Sequence, residues 1–508
     1  MQRKQLTLVI VSLLVVVLSV SLAYFTAQII GKGKDVSVTS ANLQIVFTDS
    51  DGALTETDIE PGWSATKTFT VQNNSKSEYK YNIVIKDLLN TFVTNGYLKY
   101  KITSTNDGYN MTEFKDIPKS SVATDTILAY SVVIPNGVTQ SYTIEFKYAN
   151  DESVDQSDDM GKKLSGTLFI TEGTEQPTLL SQILNDNPTR STRSNNNNGT
   201  NDFATTLTTT TTGTLFTSTE SITGITDTPK EVYYYAGNTT NNWVKFANIY
   251  WRIIRTNHDS SIRLLYVGTS HDTTTGNIGT SLFNQNYDSP KYVGYKYGED
   301  TSLDTIRNNT TDSTIKTTID TWYQNNLTNY TKYLSTSAVY CNDRSEGTGQ
   351  TYSASADFNF APYYRMDYDT DGAKANPSYN CTNIKDAFSV DNTSAKLDYP
   401  VSLMTADEIA FAGGVAFQNM STPYAWFISN SAGTQVSTDW WSLSPVGWDG
   451  SYAFVWYWYS GYAYLNNGYV NDTYAVRPAI SLKSCIKYST GNGTYETPYE
   501  IVETSSGC

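Results

Sequence analysis

The amino-acid sequence predicts a multidomain protein: an N-terminal all-β sandwich, a Thr/Asn-rich linker and a C-terminal α+β domain. Three patterns lead to this prediction. Apolar residues alternate with period two up to about residue 173, a polar segment follows, and the later chain combines helical periodicity with strand patterns. With 508 residues, of which 39% are hydrophobic, the chain can fill two or three cores.

Residues 1–30 read as a signal peptide or an N-terminal membrane anchor. Arg3 and Lys4 precede an uncharged apolar run that is long enough to span a bilayer, and small residues between Ala23 and Ala27 offer a cleavage site. Cleaved and anchored forms both remain open. In either case the positive residues place the rest of the chain outside the cell.

Residues 31–173 are predicted to form an antiparallel β-sandwich. Alternating sets such as Tyr142, Ile144 and Phe146 are typical of half-buried strands, and turn signals such as Pro61-Gly62 separate the strands. The motifs ANLQI, IEPGWSATKTFTVQNNS and SGTLFITEG resemble the camelysin and amyloid-fibre matrix proteins of Gram-positive bacteria. The resemblance implies a secreted, structural domain.

Residues 174–229 are rich in Thr and Asn and poor in apolar residues, as in NPTRSTRSNNNNGT and LTTTTTGT. Such a composition does not bury enough surface to fold alone. We therefore expect a flexible linker or stalk.

Residues 230–484 carry the helical signals. Asp312 is a candidate helix cap, and Ile315, Ile319, Trp322 and Tyr323 recur at helical spacing. Thr405 and Glu408 form a capping box for a second, short helix.

The stretch from Trp448 to Tyr474 is a candidate ligand-binding surface. Of its 27 residues 11 are aromatic, and only Asp449 and Asp472 are charged. Stiff aromatic side chains mixed with Ser, Gly and Asn recur on evolved binding surfaces. Turn signals at Ser460-Gly461 and Asn467-Gly468 predict three strands.

This register sorts the side chains onto two faces. One face collects Phe454, Trp456, Trp458, Ala463, Leu465 and Val470 for a packed interior, and Val455 and Asp472 do not fit the sorting. The opposite face and its ends supply the predicted ligand-binding residues, which are Trp448, Tyr457, Tyr459, Tyr462, Tyr464, Asn466, Tyr469 and Asn471.

The WWxLSP segment from Trp440 to Pro445 and the closing strand from Tyr474 to Ile480 resemble the C-type-lectin-like fold shared with formylglycine-generating enzymes. More narrowly, residues 231–483 resemble a bacterial surface domain, and some proteins of this fold are diversified by retroelements. The resemblance implies an adhesin-like, cell-surface or secreted protein that binds a protein or glycan. A structural fibre protein and a formylglycine-generating-type oxidoreductase are the alternatives.

The four cysteines of an exported chain predict two disulfides. Of three possible pairings we expect Cys341 with Cys381 and Cys485 with Cys508, because each pair closes a local segment. The second pair would close a C-terminal tail over residues 485–508.

Asp367, Asp369 and Asp371 form the opening of a calcium-loop pattern, D-x-D-x-D-G. Its twelfth position is Ser378 instead of the bidentate Glu, so a solvated acidic loop is the alternative. No other cofactor is expected. A net charge of −15 disfavours a nucleic-acid partner.

Overall fold

The structure is a computed structural model that describes residues 26–30, 36–40, 43–49, 53–56, 59–94, 96–193, 203, 214–366, 376–417 and 425–508. The chain divides into two compact units, Met1–Gln176 and Pro177–Cys508. Both units are built mainly from β-sheets, which agrees with the β-rich, multidomain class predicted from the sequence.

The N-terminal unit forms two sheets. The first has the strand order β4-β1-β11-β6-β9 and the second the order β2-β3-β5-β10-β7-β8. Neighbouring strands are antiparallel, except that β1 runs parallel to β11. The strands are β1 (Thr26–Ile30), β2 (Val36–Ser40), β3 (Leu43–Asp49), β4 (Ala53–Glu56), β5 (Ser64–Asn73), β6 (Tyr79–Asn90), β7 (Leu98–Ser104), β8 (Lys115–Asp116), β9 (Ser120–Ile134), β10 (Thr139–Tyr148) and β11 (Lys163–Glu172).

The alternation seen in the sequence defines the core of this unit. In β10, Tyr142, Ile144 and Phe146 are buried while the residues between them are partly exposed. Ile83 of β6 and Ile170 of β11, from the other sheet, belong to the same core cluster. Two sheets therefore bury their apolar faces against each other, as a sandwich requires.

The predicted anchor over residues 1–30 falls mostly outside the described residues. Its last five residues, Thr26–Ile30, form strand β1 instead of continuing an apolar helix. Backbone pairing with β11 and β4 fixes this strand in the sheet. Among the described residues, no helix is both long and apolar enough to cross a membrane.

The C-terminal unit contains five α-helices among its described residues. They are α1 (Leu179–Asp186), α2 (Leu303–Ile306), α3 (Thr314–Asn326), α4 (Ala361–Met366) and α5 (Ala406–Phe411). The strands are β12 (Arg190–Thr192), β13 (Thr214–Glu220), β14 (Lys230–Ala236), β15 (Trp243–Phe246), β16 (Ile249–Thr256), β17 (Ile262–Gly268), β18 (Thr280–Leu282), β19 (Lys296–Tyr297), β20 (Thr311–Asp312), β21 (Tyr340–Cys341), β22 (Phe358–Asn359), β23 (Ala387–Phe388), β24 (Val401–Leu403), β25 (Trp440–Trp448), β26 (Ala453–Tyr459), β27 (Tyr464–Tyr469), β28 (Thr473–Ala475), β29 (Pro478–Leu482), β30 (Tyr488–Thr490) and β31 (Tyr499–Ile501).

Two large sheets organise this unit. The larger has the order β12-β13-β14-β16-β15-β31-β30, and β17, β29 and β24 extend it from β16. The smaller has the order β18-β28-β25-β26-β27, with β22 paired to β25. One continuous hydrophobic core includes residues from both sheets and from α3 and α5.

Helix α3 follows the predicted apolar stripe. Ile315, Ile319 and Tyr323 are fully buried, and Trp322 is partly buried at the edge of the core. The cap, however, is Ser313 and not Asp312, because the Ser313 side chain accepts the hydrogen bond of the Lys316 amide. The capping box of α5, between Thr405 and Glu408, is present as predicted.

The prediction of a flexible linker over residues 174–229 does not hold for its described parts. Helix α1 buries Leu179 and Ile183 in the core of the C-terminal unit, and β12 and β13 join the larger sheet. The linker was predicted from the low apolar content of the whole segment, and this average does not reveal the short apolar face of α1. Residues 194–202 and 204–213 of the predicted linker lie outside the described residues.

The predicted separate tail over residues 485–508 is also corrected. Strand β31 pairs with β15 in parallel, opposite Val244, so the tail belongs to the larger sheet. The cysteine pairing is as expected. Cys341 is bonded to Cys381 and Cys485 to Cys508, with Cα–Cα distances of 5.8 and 5.7 Å.

A buried ion network joins the larger sheet to α5. The Glu408 carboxylate accepts hydrogen bonds from Nε of Arg255 at 2.7 Å and from Nη1 of Arg263 at 2.5 Å. Arg255 also donates to Glu220 at 2.8 Å, and His258 lies 3.6 Å from the same carboxylate. Each of these charged groups has its partners inside the fold, which is what makes a buried charge tolerable.

Because of this network, we expect the stability of the C-terminal unit to decrease at acidic pH. Burial alone raises the pKa of Glu220, but Arg255 and His258 outweigh it and lower the pKa to about 2. In the unfolded chain the pKa of a glutamate carboxyl is about 4.3. Its contribution to stability is therefore complete above about pH 5 and is lost as the pH falls towards 2, by on the order of 3 kcal/mol. Urea unfolding of the wild type and of Glu220→Gln between pH 7 and 3 measures this loss. The Gln variant should show a weaker pH dependence, and identical pH profiles would contradict the assignment.

Candidate functional site

Most of the predicted binding stretch lies on three consecutive antiparallel strands, β25, β26 and β27, and its last two residues begin β28. Residues 449–452 connect the first two strands, and residues 460–463 connect the second pair. Ala463 adopts a positive φ of 54° in the second connection. The loop therefore has four residues instead of the two that were predicted at Ser460-Gly461.

The register differs from the prediction. The predicted two-residue turn at Ser460-Gly461 would place Tyr459 opposite Tyr462, whereas Tyr459 lies opposite Tyr464 and Tyr457 lies opposite Asn466. Asn467-Gly468, predicted as the second turn, lies inside β27. Gly468 serves close packing, since a Cβ there would come within 2.8 Å of the Tyr474 ring and 3.1 Å of the Tyr457 ring.

The chain reverses after β27 at residues 470–472, whereas the turn was predicted at Asn467-Gly468. Strand β28 then pairs with β18, through Ala475 and Thr280, and makes one parallel bridge to β25. The predicted meander of three strands joined by turns at Ser460-Gly461 and Asn467-Gly468 is therefore wrong, because its third strand belongs elsewhere in the sheet.

A shift of two residues leaves most side chains on their predicted faces, because strand side chains alternate with period two. Trp456, Trp458 and Leu465 are fully buried, as expected. The Trp458 ring makes an edge contact with Phe427 at 4.9 Å. Tyr469 changes faces, since it lies opposite Phe454.

Tyr457 is part of the core although it was predicted to bind ligand. Only 6% of its surface is exposed. Its ring stacks on Tyr474 with centroids 4.2 Å apart, and the Asn466 amide donates to its hydroxyl at 3.1 Å. Val455, which did not fit the predicted sorting, is fully buried on the same face. The middle of β26 is therefore covered on both sides.

Three further predicted ligand-binding residues are partly or fully buried, or hold neighbouring residues in place. Trp448 is 5% exposed at the end of β25, where it pairs with Phe358 and Ala453. The Asn466 side chain accepts from the Asn467 amide as well as donating to Tyr457. Asn471 lies half-buried in the turn that follows β27.

The hairpin cluster, defined as Tyr459, Tyr462 and Tyr464, surrounds the loop between β26 and β27. The Tyr459 ring contacts the other two edge-on, with centroids 5.4 and 5.5 Å away. Tyr462 is 52% exposed, and the other two tyrosines are half-buried. These three predicted residues do come together at the surface.

The strand-end cluster, defined as Tyr287, Tyr452, Phe454 and Tyr469, lies at the other end of the same hairpin. Tyr287 stacks on Tyr452 at 5.0 Å, and Tyr469 lies 4.7 Å from Tyr452 and 4.8 Å from Phe454. The three tyrosines are 38%, 36% and 41% exposed.

Tyr287 was not predicted to bind ligand, because its loop lies far from the aromatic stretch along the chain. The Ala453 amide donates to the Tyr287 carbonyl at 3.0 Å, and this contact brings the loop to the hairpin. Tyr452 was available within the aromatic stretch, but its place in a connection kept it out of the strand pattern.

The two clusters are separate surfaces. Phe454 and Tyr459 are five residues apart on one strand, which corresponds to about 16 Å, and an odd spacing places them on opposite faces. The single continuous tyrosine face predicted from the sequence is therefore replaced by two exposed aromatic clusters at opposite ends of β26 and β27.

The proposed calcium ligands Asp367, Asp369 and Asp371 lie outside the described residues. Elsewhere, the carboxylates of Asp312, Asp320 and Asp398 gather within 4.8 Å of one another. Nζ of Lys316 lies 3.1, 2.6 and 2.7 Å from them. Burial lowers the pKa of this ammonium, but the three carboxylates outweigh burial and raise it. Lys316 therefore pairs with all three carboxylates, and Nζ of Lys296 also lies 3.0 Å from Asp312.

No protein-family model matches the chain, and no curated protein matches it. Among solved structures, one similar chain is described as "AvmM Catalyzes Macrocyclization in Alchivemycin A Biosynthesis". It has 10% sequence identity and a TM-score of 0.15, and the match covers 28% of this chain and 98% of that one. This likeness is too low to inform fold or function.

The burial difference between two neighbouring tyrosines gives a stability test. Tyr457→Ala should lower the free energy of unfolding by about 3 kcal/mol, because it empties a packed site. Tyr462→Ala, on the exposed loop, should change it by less than about 0.5 kcal/mol. Chemical denaturation of both variants checks this. Equal destabilisation would show that the register or the burial of this hairpin is different.

Proposed function

We propose that this chain is an exported ligand-binding protein whose C-terminal unit binds a protein or glycan through the hairpin cluster and the strand-end cluster. The observation that carries the proposal is the grouping of exposed tyrosines at both ends of a hairpin whose middle is fully packed. The tryptophans of this hairpin already supply its core. The exposed rings are therefore free to contact another molecule.

The amount of exposed aromatic surface supports recognition. A tyrosine offers roughly 200 Å² of surface, so the three exposed tyrosines of the strand-end cluster, at 38%, 36% and 41% exposure, present on the order of 200 Å² in one place. The hairpin cluster is a second, separate aromatic surface. A contiguous patch that approaches a few hundred Å² on a soluble protein usually marks an interaction site. Tyrosine side chains also lose little conformational entropy on binding and offer a hydroxyl for hydrogen bonding.

Two features support an extracellular location. The two disulfides fit an oxidising compartment. The apolar run that follows Arg3 and Lys4 fits an export signal or anchor. An extracellular binding protein at or beyond the cell surface would meet ligands on other cells.

The resemblance of residues 231–483 to C-type-lectin-like surface domains belongs to the same proposal. In diversified members of that fold, variable residues lie on late strands and loops. Three of the four residues of the strand-end cluster and the whole hairpin cluster come from such late elements, β26, β27 and their connections. An adhesin-like role follows from this resemblance together with the exposed clusters.

Probing a glycan and surface-protein array with the full chain tests the proposal. Tyr462→Ala and Tyr452→Ala remove one exposed ring from each cluster. We expect at least one of them to weaken binding of an array ligand by about tenfold or more, as central aromatic contacts do. Tyr364→Ala, at another exposed tyrosine of the same unit, is the matched control.

Thermal melts of the three variants establish that each is folded before binding is compared. Ligands that bind all three variants as tightly as the wild type, or an array without any bound ligand, would contradict the proposed function.

A further inference from the structure

Carboxylates surround the strand-end cluster. Asp288 follows Tyr287 directly in the chain, Asp449 and Asp472 lie in the turns that flank Tyr452 and Tyr469, and Asp357 precedes β22. We call this set of four carboxylates and four aromatic rings the acidic aromatic patch.

Two of the carboxylates are fixed by the turns. Oδ1 of Asp449 accepts hydrogen bonds from the amides of Ser451 at 2.9 Å and Tyr452 at 2.7 Å. Oδ2 of Asp472 accepts from the Tyr469 amide at 3.1 Å. Each of these turns therefore holds a negative charge beside an exposed tyrosine.

The other two carboxylates are exposed. A Cβ at Gly450 would lie 3.3 Å from Oδ1 of Asp357, which places that carboxylate against the turn of Asp449. Asp288 is exposed next to Tyr287. In the described part of the chain, neither Asp288 nor Asp357 forms an ion pair, so both charges are available to a ligand.

Lys291 is the basic residue that follows Tyr287 and Asp288 in the chain. Its Nζ lies 5.3 Å from the centre of the Tyr292 ring, and among the described residues it forms no ion pair with any of the four carboxylates. The patch therefore retains its negative charge. The whole chain, at −15, has the same sign.

The hairpin cluster has a different environment. Asp439 contacts its loop, and accepts hydrogen bonds from the backbone amide and the hydroxyl of Ser460 at 2.8 and 2.7 Å. That carboxylate holds the loop in place. The combination of exposed rings with exposed carboxylates is a property of the strand-end cluster.

We propose that the acidic aromatic patch binds an extended, arginine- or lysine-containing segment of a partner protein. A guanidinium or ammonium group is attracted to the face of a tyrosine ring, and Arg is the more frequent partner. Carboxylates at the rim add charge complementarity, which speeds and orients association. An acidic glycan would be repelled, and a neutral glycan would gain nothing from the four carboxylates.

This inference rests on the proposed function and narrows it to one cluster and one class of ligand. Its probe is a synthetic peptide of alternating Gly and Arg, compared with a Gly and Glu peptide of the same length. Fluorescence anisotropy with the full chain at low and high salt measures both affinities. We expect the Arg peptide alone to bind, and more weakly at high salt, because exposed charges are screened.

Variants locate the peptide. Tyr452→Leu and Tyr469→Leu keep an apolar side chain but remove the ring, and each should weaken binding of the Arg peptide by about fivefold. The double variant Asp288→Asn with Asp357→Asn should weaken binding at low salt and have a smaller effect at high salt. Tyr364→Leu, at an exposed tyrosine outside both clusters, and Asp227→Asn, at an exposed carboxylate in the loop before β14, are the matched controls and should bind normally.

Three results would overturn the inference: equal binding of the Arg and Glu peptides, normal binding by both ring variants and the double Asp variant, or a loss in Asp227→Asn as large as in that double variant. Thermal melts verify the fold of each variant. An array ligand that depends on either cluster but is neutral or anionic would reject this inference and leave the proposed function standing. The absence of any aromatic-dependent ligand would reject both.

Discussion

The C-terminal unit depends on the hydrogen bonds and ion pairs of the buried Glu408 carboxylate. Glu408 closes the capping box of α5 and also accepts from Arg255 on β16 and Arg263 on β17. One side chain therefore holds a short helix against two strands of the larger sheet. Removing one partner from such a network leaves a buried charge unpaired, which typically costs about 3 to 5 kcal/mol.

Helix α5 in turn positions the smaller sheet. The Ala406 amide donates to the Ser444 hydroxyl at 3.0 Å, and the Leu443 amide donates to the Met404 carbonyl at 2.9 Å. Both contacts fix β25, which carries β26 and β27. The position of the two aromatic clusters thus follows from a chain of contacts that begins at a buried ion pair remote from the surface.

Local sequence patterns predicted much of this fold. The features that were missed depend on contacts between residues far apart in the chain. The apolar stripe of α3 and the capping box at Thr405 depend on residues that are only a few positions apart, so both can be predicted from the sequence alone. Gly468 was interpreted as a turn residue, whereas it makes room for the rings of Tyr457 and Tyr474. Tyr287 reaches the hairpin from a distant loop, and no local pattern indicates that contact.

The aromatic stretch divides into a packed middle and two exposed ends. Nitration of the folded full chain, followed by peptide mass spectrometry, measures the accessibility of each tyrosine directly. Burial protects Tyr457 and raises its pKa, which slows modification further. We expect Tyr462, Tyr452 and Tyr469 to be nitrated well before Tyr457. Nitration of Tyr457 at the rate of Tyr462 would show that the middle of the hairpin is not packed.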